Sequence, residues 1–112
     1  MPSASLVVAT LLAAANPTFP ANLHGQWTDN AAHCGKEDTT GIRVTARSIA
    51  FYEAVGTPTS VRTEKDGTIT ATLTYTGEGR RWTEANSYEL SRDGTSVRVR
   101  ALGGMYILDR CR

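Results

Sequence analysis

From Asn22 onward, apolar and polar residues alternate with a period of two, and turn-forming residues interrupt the alternation at short intervals. The clearest run is Thr68 to Thr76. Ile69, Ala71, Leu73 and Tyr75 share one side and the threonines the other, the pattern of a strand with one buried face. The same alternation appears in Ile42, Val44 and Ala46, in Ile49 and Phe51 after a tight turn near Arg47-Ser48, in Tyr88 and Leu90, and in Val97, Val99 and Ala101. Lys65-Asp66-Gly67, Gly77-Glu78-Gly79, Arg92-Asp93-Gly94 and Gly103-Gly104 read as hairpin connections. Eight strands are predicted, near residues 22–28, 41–46, 48–53, 58–64, 68–77, 80–91, 95–102 and 104–111.

Connections this short leave no room for crossover helices, so consecutive strands pair antiparallel. Eight twisted strands in a meander close most readily into a barrel, which also removes exposed edges. The predicted fold class is therefore all-β, a small eight-stranded meander barrel. The alternative is a two-sheet β-sandwich, formed if the long hairpin around Gly77 to Gly79 bends across. The one long connection, Asp29 to Thr40, is polar and suits a lid or a packed loop.

Residues 4–15 stand apart from this pattern: ASLVVATLLAAA carries no charge and is too short to span a bilayer, and Ala13-Ala14-Ala15 offers the small-x-small motif of a cleavage site. We expect 1–15 to be a cleaved signal peptide and 16–112 a single domain. The n-region lacks Lys and Arg, and an apolar N-terminal helix or arm is the competing reading. Export gives Cys34 and Cys111 a reason: an even pair in a small exported domain is expected to be a disulfide. Cys111 ends the last strand, so the loop carrying Cys34 would have to double back along the barrel wall or across its base.

Twelve Lys and Arg against 11 Asp and Glu give 112 residues a formal net charge of +1. The signs are mixed along the chain, without the basic stripe of a nucleic-acid-binding domain. The only collection of candidate metal ligands is Asp29, His33, Glu37 and Asp38 with His24, whose spacing fits no rigid scaffold. We read it as a solvated polar loop and expect no metal and no cofactor. Glu53 and Glu84 lie on or beside strands with nothing to show that they converge, and no catalytic residues are assigned. The protein is expected not to be an enzyme.

Leu23-His-Gly-Gln-Trp27 resembles the opening of the calycin barrels, lipocalins and avidins among them, through Gly25 and Trp27. The resemblance implies that Trp27 closes one barrel end beneath a basic side chain from the last strand, supplied here by Arg110 or Arg112. The LHGxW start, Phe51-Tyr-Glu53 and a late Cys also resemble small exported bacterial proteins of unknown function. Thr76-Gly-Glu-Gly-Arg-Arg-Trp82 is similar in position to the inhibitory loop of the periplasmic inhibitors of c-type lysozyme, although the Ser and Tyr of that motif are missing.

Inward residues expected to fill the barrel are Phe51, Leu73, Tyr75, Trp82, Tyr88, Leu90 and Ile107, with Ala46, Ala71 and Ala101 leaving space. A small apolar ligand would meet Phe51, Tyr75, Trp82 and Tyr88, the two tyrosines orienting it by their hydroxyls. The expected role is that of a monomeric periplasmic or secreted binding module for a small apolar ligand or an envelope component. The alternative is a protein inhibitor or interaction module that uses Arg80, Arg81 and Trp82 against another envelope protein. Neither role involves nucleic acid or a membrane span.

Overall fold

The computed structural model describes residues 17–36 and 41–112. The stretch read as a leader, and Glu37 and Asp38, lie outside these residues. Eight antiparallel strands follow one another around a closed barrel: β1 (Gly25–Thr28), β2 (Ile42–Val44), β3 (Ile49–Ala50), β4 (Val55–Thr63), β5 (Ile69–Gly77), β6 (Arg80–Leu90), β7 (Ser96–Ala101) and β8 (Gly104–Arg110). Each strand pairs with its successor, and β8 returns to β1 through Trp27↔Arg110 and Thr28↔Asp109. The meander barrel expected from the alternation is the fold, and the sandwich is excluded.

The wall is uneven. β1 to β3 have four, three and two residues, whereas β4, β5 and β6 have nine, nine and eleven. One side of the barrel is therefore tall and the other low. β1 covers only Asp109 and Arg110 of β8, so among the described residues Met105 to Leu108 have no strand partner on that side.

Period-two patterning predicts the buried face well. Ile69, Ala71, Leu73 and Tyr75 on β5, and Val97, Val99 and Ala101 on β7, all enter the core. Three details differ. The third strand ends at Ala50, because Phe51 N–H bonds to Ala54 O and closes a tight turn where the alternation suggested more strand. The fourth begins earlier, at Val55, and is interrupted between Pro58 and Ser60, where the extra Thr59 turns outward and its hydroxyl donates to Thr72 O. A bulge is where a strand tolerates proline. Finally, Ile107 does not fill the interior; it is 60% exposed, and Tyr106 and Leu108 face inward in its place.

The end where β1 begins is sealed. Phe19, ahead of the 3₁₀ turn Ala21–Leu23, and Leu23, its last residue, plug the opening, Phe19 at 2% and Leu23 at 0% exposure. The Phe19 ring meets Tyr88 edge-on at 5.6 Å, and Phe19 N–H bonds to Ala46 O. The opposite end is framed by Asp29, the Phe51–Ala54 turn and two tight hairpin turns, Glu78-Gly79 and Leu102-Gly103, all four of whose residues have positive φ. Both hairpins thus have the backbone twist that matches right-twisted strands.

Cys34 and Cys111 form the expected disulfide. The loop after β1 doubles back along the outer wall to reach it. The outward Gln26 clamps this loop: its Oε1 accepts from Gly35 N at 2.8 Å and its Nε2 donates to Lys36 O at 3.1 Å. Cys111 N–H in turn bonds to Gln26 O. This part of the connection is packed against the barrel rather than poised as a lid. No helix among the described residues is long and apolar enough to cross a membrane.

Candidate functional site

Gly25, Trp27 and Arg110 come together at the sealed end. The Arg110 guanidinium lies 4.1 Å from the centroid of the wholly buried Trp27 ring. It donates to His24 O at 2.8 Å, Asn22 O at 2.6 Å and Gly94 O at 3.0 Å, while Trp27 Nε1–H donates to Leu23 O at 3.0 Å. Gly25 has φ +126°, and a Cβ there would stand 3.3 Å from the guanidinium, so glycine suits both the backbone and the space. Of the two arginines considered for this role, Arg110 fills it. The cluster anchors the fold by tying the last strand to the segment ahead of β1. His24 is committed to Phe19 O nearby, apart from His33, whose Nδ1 lies 3.7 Å from Asp29.

The other candidates run through the interior from the Phe19 plug to the open end. Trp82, Glu84, Asn86 and Tyr88 are alternate residues of β6 and share its inward face. Tyr75, opposite Trp82 on β5, stacks on it at 5.5 Å, and Phe51 reaches both Tyr75 and Tyr106. Tyr75 and Tyr88 are completely buried, and both hydroxyls donate to Asn86 Oδ1. They orient each other and Asn86 rather than a rim contact. Burial pushes both phenols well above their ordinary pKa, so they stay protonated donors.

Glu84 completes this chain and was missed as a partner of these residues. Its carboxylate accepts from Trp82 Nε1 at 2.8 Å, Asn86 Nδ2 at 2.6 Å and the Leu102 backbone N–H at 2.7 Å. Burial alone raises its pKa, but the three donors overcome that and hold it below the usual carboxylate value. The signal was present in the sequence: a barrel strand whose inward phase reads Trp-x-Glu-x-Asn-x-Tyr must pair its polar members with one another. The bond to Leu102 also pins the β7–β8 turn over the mouth. Leu102 takes φ +53°, unusual for a bulky residue.

Two neighbouring clefts open beside Leu102. The larger, about 440 Å³, lies over the low wall between Ile42, the Phe51-Tyr52-Glu53 turn and Tyr106 to Leu108. Its lining is mainly apolar, and Tyr52 and Ile107 at its lip are 62% and 60% exposed. The smaller, about 320 Å³, lies between Glu53, Glu78, Arg80, Trp82 and Glu84. Arg80 sits 5.6 Å from the Trp82 ring centroid. Arg80 and Arg81 are exposed, but Trp82 turns inward, so the three do not form one projecting surface on the hairpin. The chain matches no protein-family model, and no curated protein or solved structure proved similar to it.

Proposed function

We propose that this protein is an exported, calycin-like barrel that binds a small apolar ligand at its open end. The observation that carries the proposal is the 440 Å³ cleft over the low wall, where Phe51, Tyr52, Tyr106 and Ile107 present apolar surface to solvent. The volume falls in the range of small-molecule sites, and a mainly apolar lining with a few polar groups is their usual composition. The site is lateral rather than central, because Tyr75 and Tyr88 occupy the barrel axis. A role in binding rather than catalysis suits Glu84, the carboxylate set deepest in the mouth: three donors hold it ionised, which leaves it a poor proton shuttle. The Cys34–Cys111 bond supports a periplasmic or secreted location, where disulfides persist.

Native mass spectrometry of protein isolated from the cell envelope tests the proposal. A stoichiometric small-molecule adduct should appear and be lost on denaturation. Ile107→Arg, which places a charge at the exposed lip, should abolish the adduct while leaving the fold intact. Absence of any adduct, or its persistence in the Ile107→Arg protein, would count against this site.

A further inference from the structure

We infer that the ligand of the open end is an organic cation, a positively charged amine or ammonium group on an apolar or aromatic body. The assignment presupposes the cleft proposed above and adds the charge of what enters it. Among the described residues, four carboxylates, Asp29, Glu53, Glu78 and Glu84, line the two mouth clefts against a single guanidinium, Arg80, in a chain whose formal net charge is +1. The larger cleft has acidic residues at its edge and, among the described residues, no Lys or Arg in its lining. Other arginines sit elsewhere: Arg110 in the sealed end, Arg98 and Arg100 on the outer face of β7.

The four carboxylates are not equivalent. Asp29 faces His33, and Glu84 is saturated by its three donors. Glu53 and Glu78 remain. They stand on facing turns of the rim, where Gly77 packs against the Glu53 backbone, and line the same cleft, and among the described residues neither forms an ion pair. The Glu78 hydrogen bond and charge raise the Glu53 pKa, the mark of two acids crowded without a counter-ion. Glu53 belongs to both clefts, so the uncompensated charge adjoins the aromatic surface of Phe51, Tyr52 and Tyr106. A cation seated there gains carboxylates on one side and ring faces on the other, as Arg80 already does over Trp82. An anionic ligand would meet repulsion, and a neutral one would leave the pair uncompensated.

Three probes with one aromatic body separate charge from shape: 2-(2-naphthyl)ethylamine, 2-(2-naphthyl)ethanol and 2-naphthylacetate. Each is titrated into the disulfide-intact protein at neutral pH, with affinity measured by calorimetry and location by amide NMR shifts. The amine should bind roughly tenfold more tightly than the alcohol, the gain expected of two solvent-exposed ion pairs, and the acetate most weakly. That advantage should shrink as sodium chloride is raised and disappear in the Glu53→Gln/Glu78→Gln protein, whose substitutions are on exposed side chains. Equal binding of amine and alcohol, with shifts at residues 51–53 and 106–108, would overturn the cation preference and leave the apolar cleft standing. Binding by none of the three would overturn both. An undiminished advantage in the double variant would show that these two carboxylates are not its source.

Discussion

Replacing Arg110 with Met preserves the length and apolar contact of the side chain over Trp27 while removing the guanidinium. Three carbonyls then lose their donor. The bonds to His24 O and Gly94 O are partly buried and count for about 1 kcal/mol each, while the exposed bond to Asn22 O counts for a few tenths. The cation above the Trp27 ring, at 4.1 Å, adds about 1 kcal/mol. Arg110→Met should therefore destabilise by about 3 kcal/mol. With a urea m-value of about 1.5 kcal/mol/M for a domain of this size, the midpoint should fall by about 2 M at unchanged m. Equilibrium unfolding followed by tryptophan fluorescence measures it. Arg110→Lys keeps the charge without the planar fork and should recover about half of the loss. Arg98→Met removes an exposed cation 3.5 Å from Glu89 and should shift the midpoint by less than about 0.3 M. A fall of under about 0.5 M for Arg110→Met, or equal effects of Met and Lys, would refute the view that this residue locks the β1–β8 seam.

Three further outcomes follow from the interior and the bridge. Asn86→Leu leaves the Tyr75 and Tyr88 hydroxyls without their acceptor and should cost about 3 kcal/mol; adding Tyr75→Phe and Tyr88→Phe should restore at least half of it in urea unfolding, since no buried hydroxyl is then orphaned. Cys34→Ser/Cys111→Ser should cost about 4.5 kcal/mol by loop entropy, read from midpoints against the oxidised protein. Glu84 has a folded pKa below its unfolded value, so its contribution is present above the unfolded pKa and is lost as pH falls through the folded one. Glu84→Gln should lower stability at neutral pH and flatten its fall between about pH 5 and 3; an unchanged acid slope would oppose the assignment.

Where one face of a strand is buried and the other wet, the sequence was sufficient. β5 alternates Ile, Ala, Leu and Tyr with threonine, and the structure follows it residue by residue. The sealed end was legible through the resemblance of Gly25-x-Trp27 to the calycin opening, which implied a basic side chain from the last strand over the indole. β8 was harder: Met105, Tyr106, Ile107 and Leu108 are all apolar, so hydrophobicity does not choose a face. Its phase is set by pairing, through Arg110 opposite Trp27, which places Tyr106 and Leu108 inside and leaves Ile107 out. Phe51 misled in the same way, continuing an alternation that the Phe51–Ala54 hydrogen bond cuts short. Glu84 is legible only when Trp82, Glu84, Asn86 and Tyr88 are taken together as one inward face of β6, and its third donor, the Leu102 N–H, is set by a turn 18 positions away. The mouth depends on strand lengths and on Glu53 and Glu78, 25 positions apart in sequence and adjacent only once the barrel closes.

The described chain enters and leaves by the same door. Pro17 leads into the Phe19–Leu23 plug, and Arg112 follows the cysteine bridged to the loop on the outer wall, so both ends emerge at the pole opposite the clefts. A tag, fluorophore or surface tether attached ahead of Pro17 or behind Arg112 will hold the barrel by its sealed pole and present the mouth outward. Immobilised sensors and display fusions can therefore use either end without obstructing the opening.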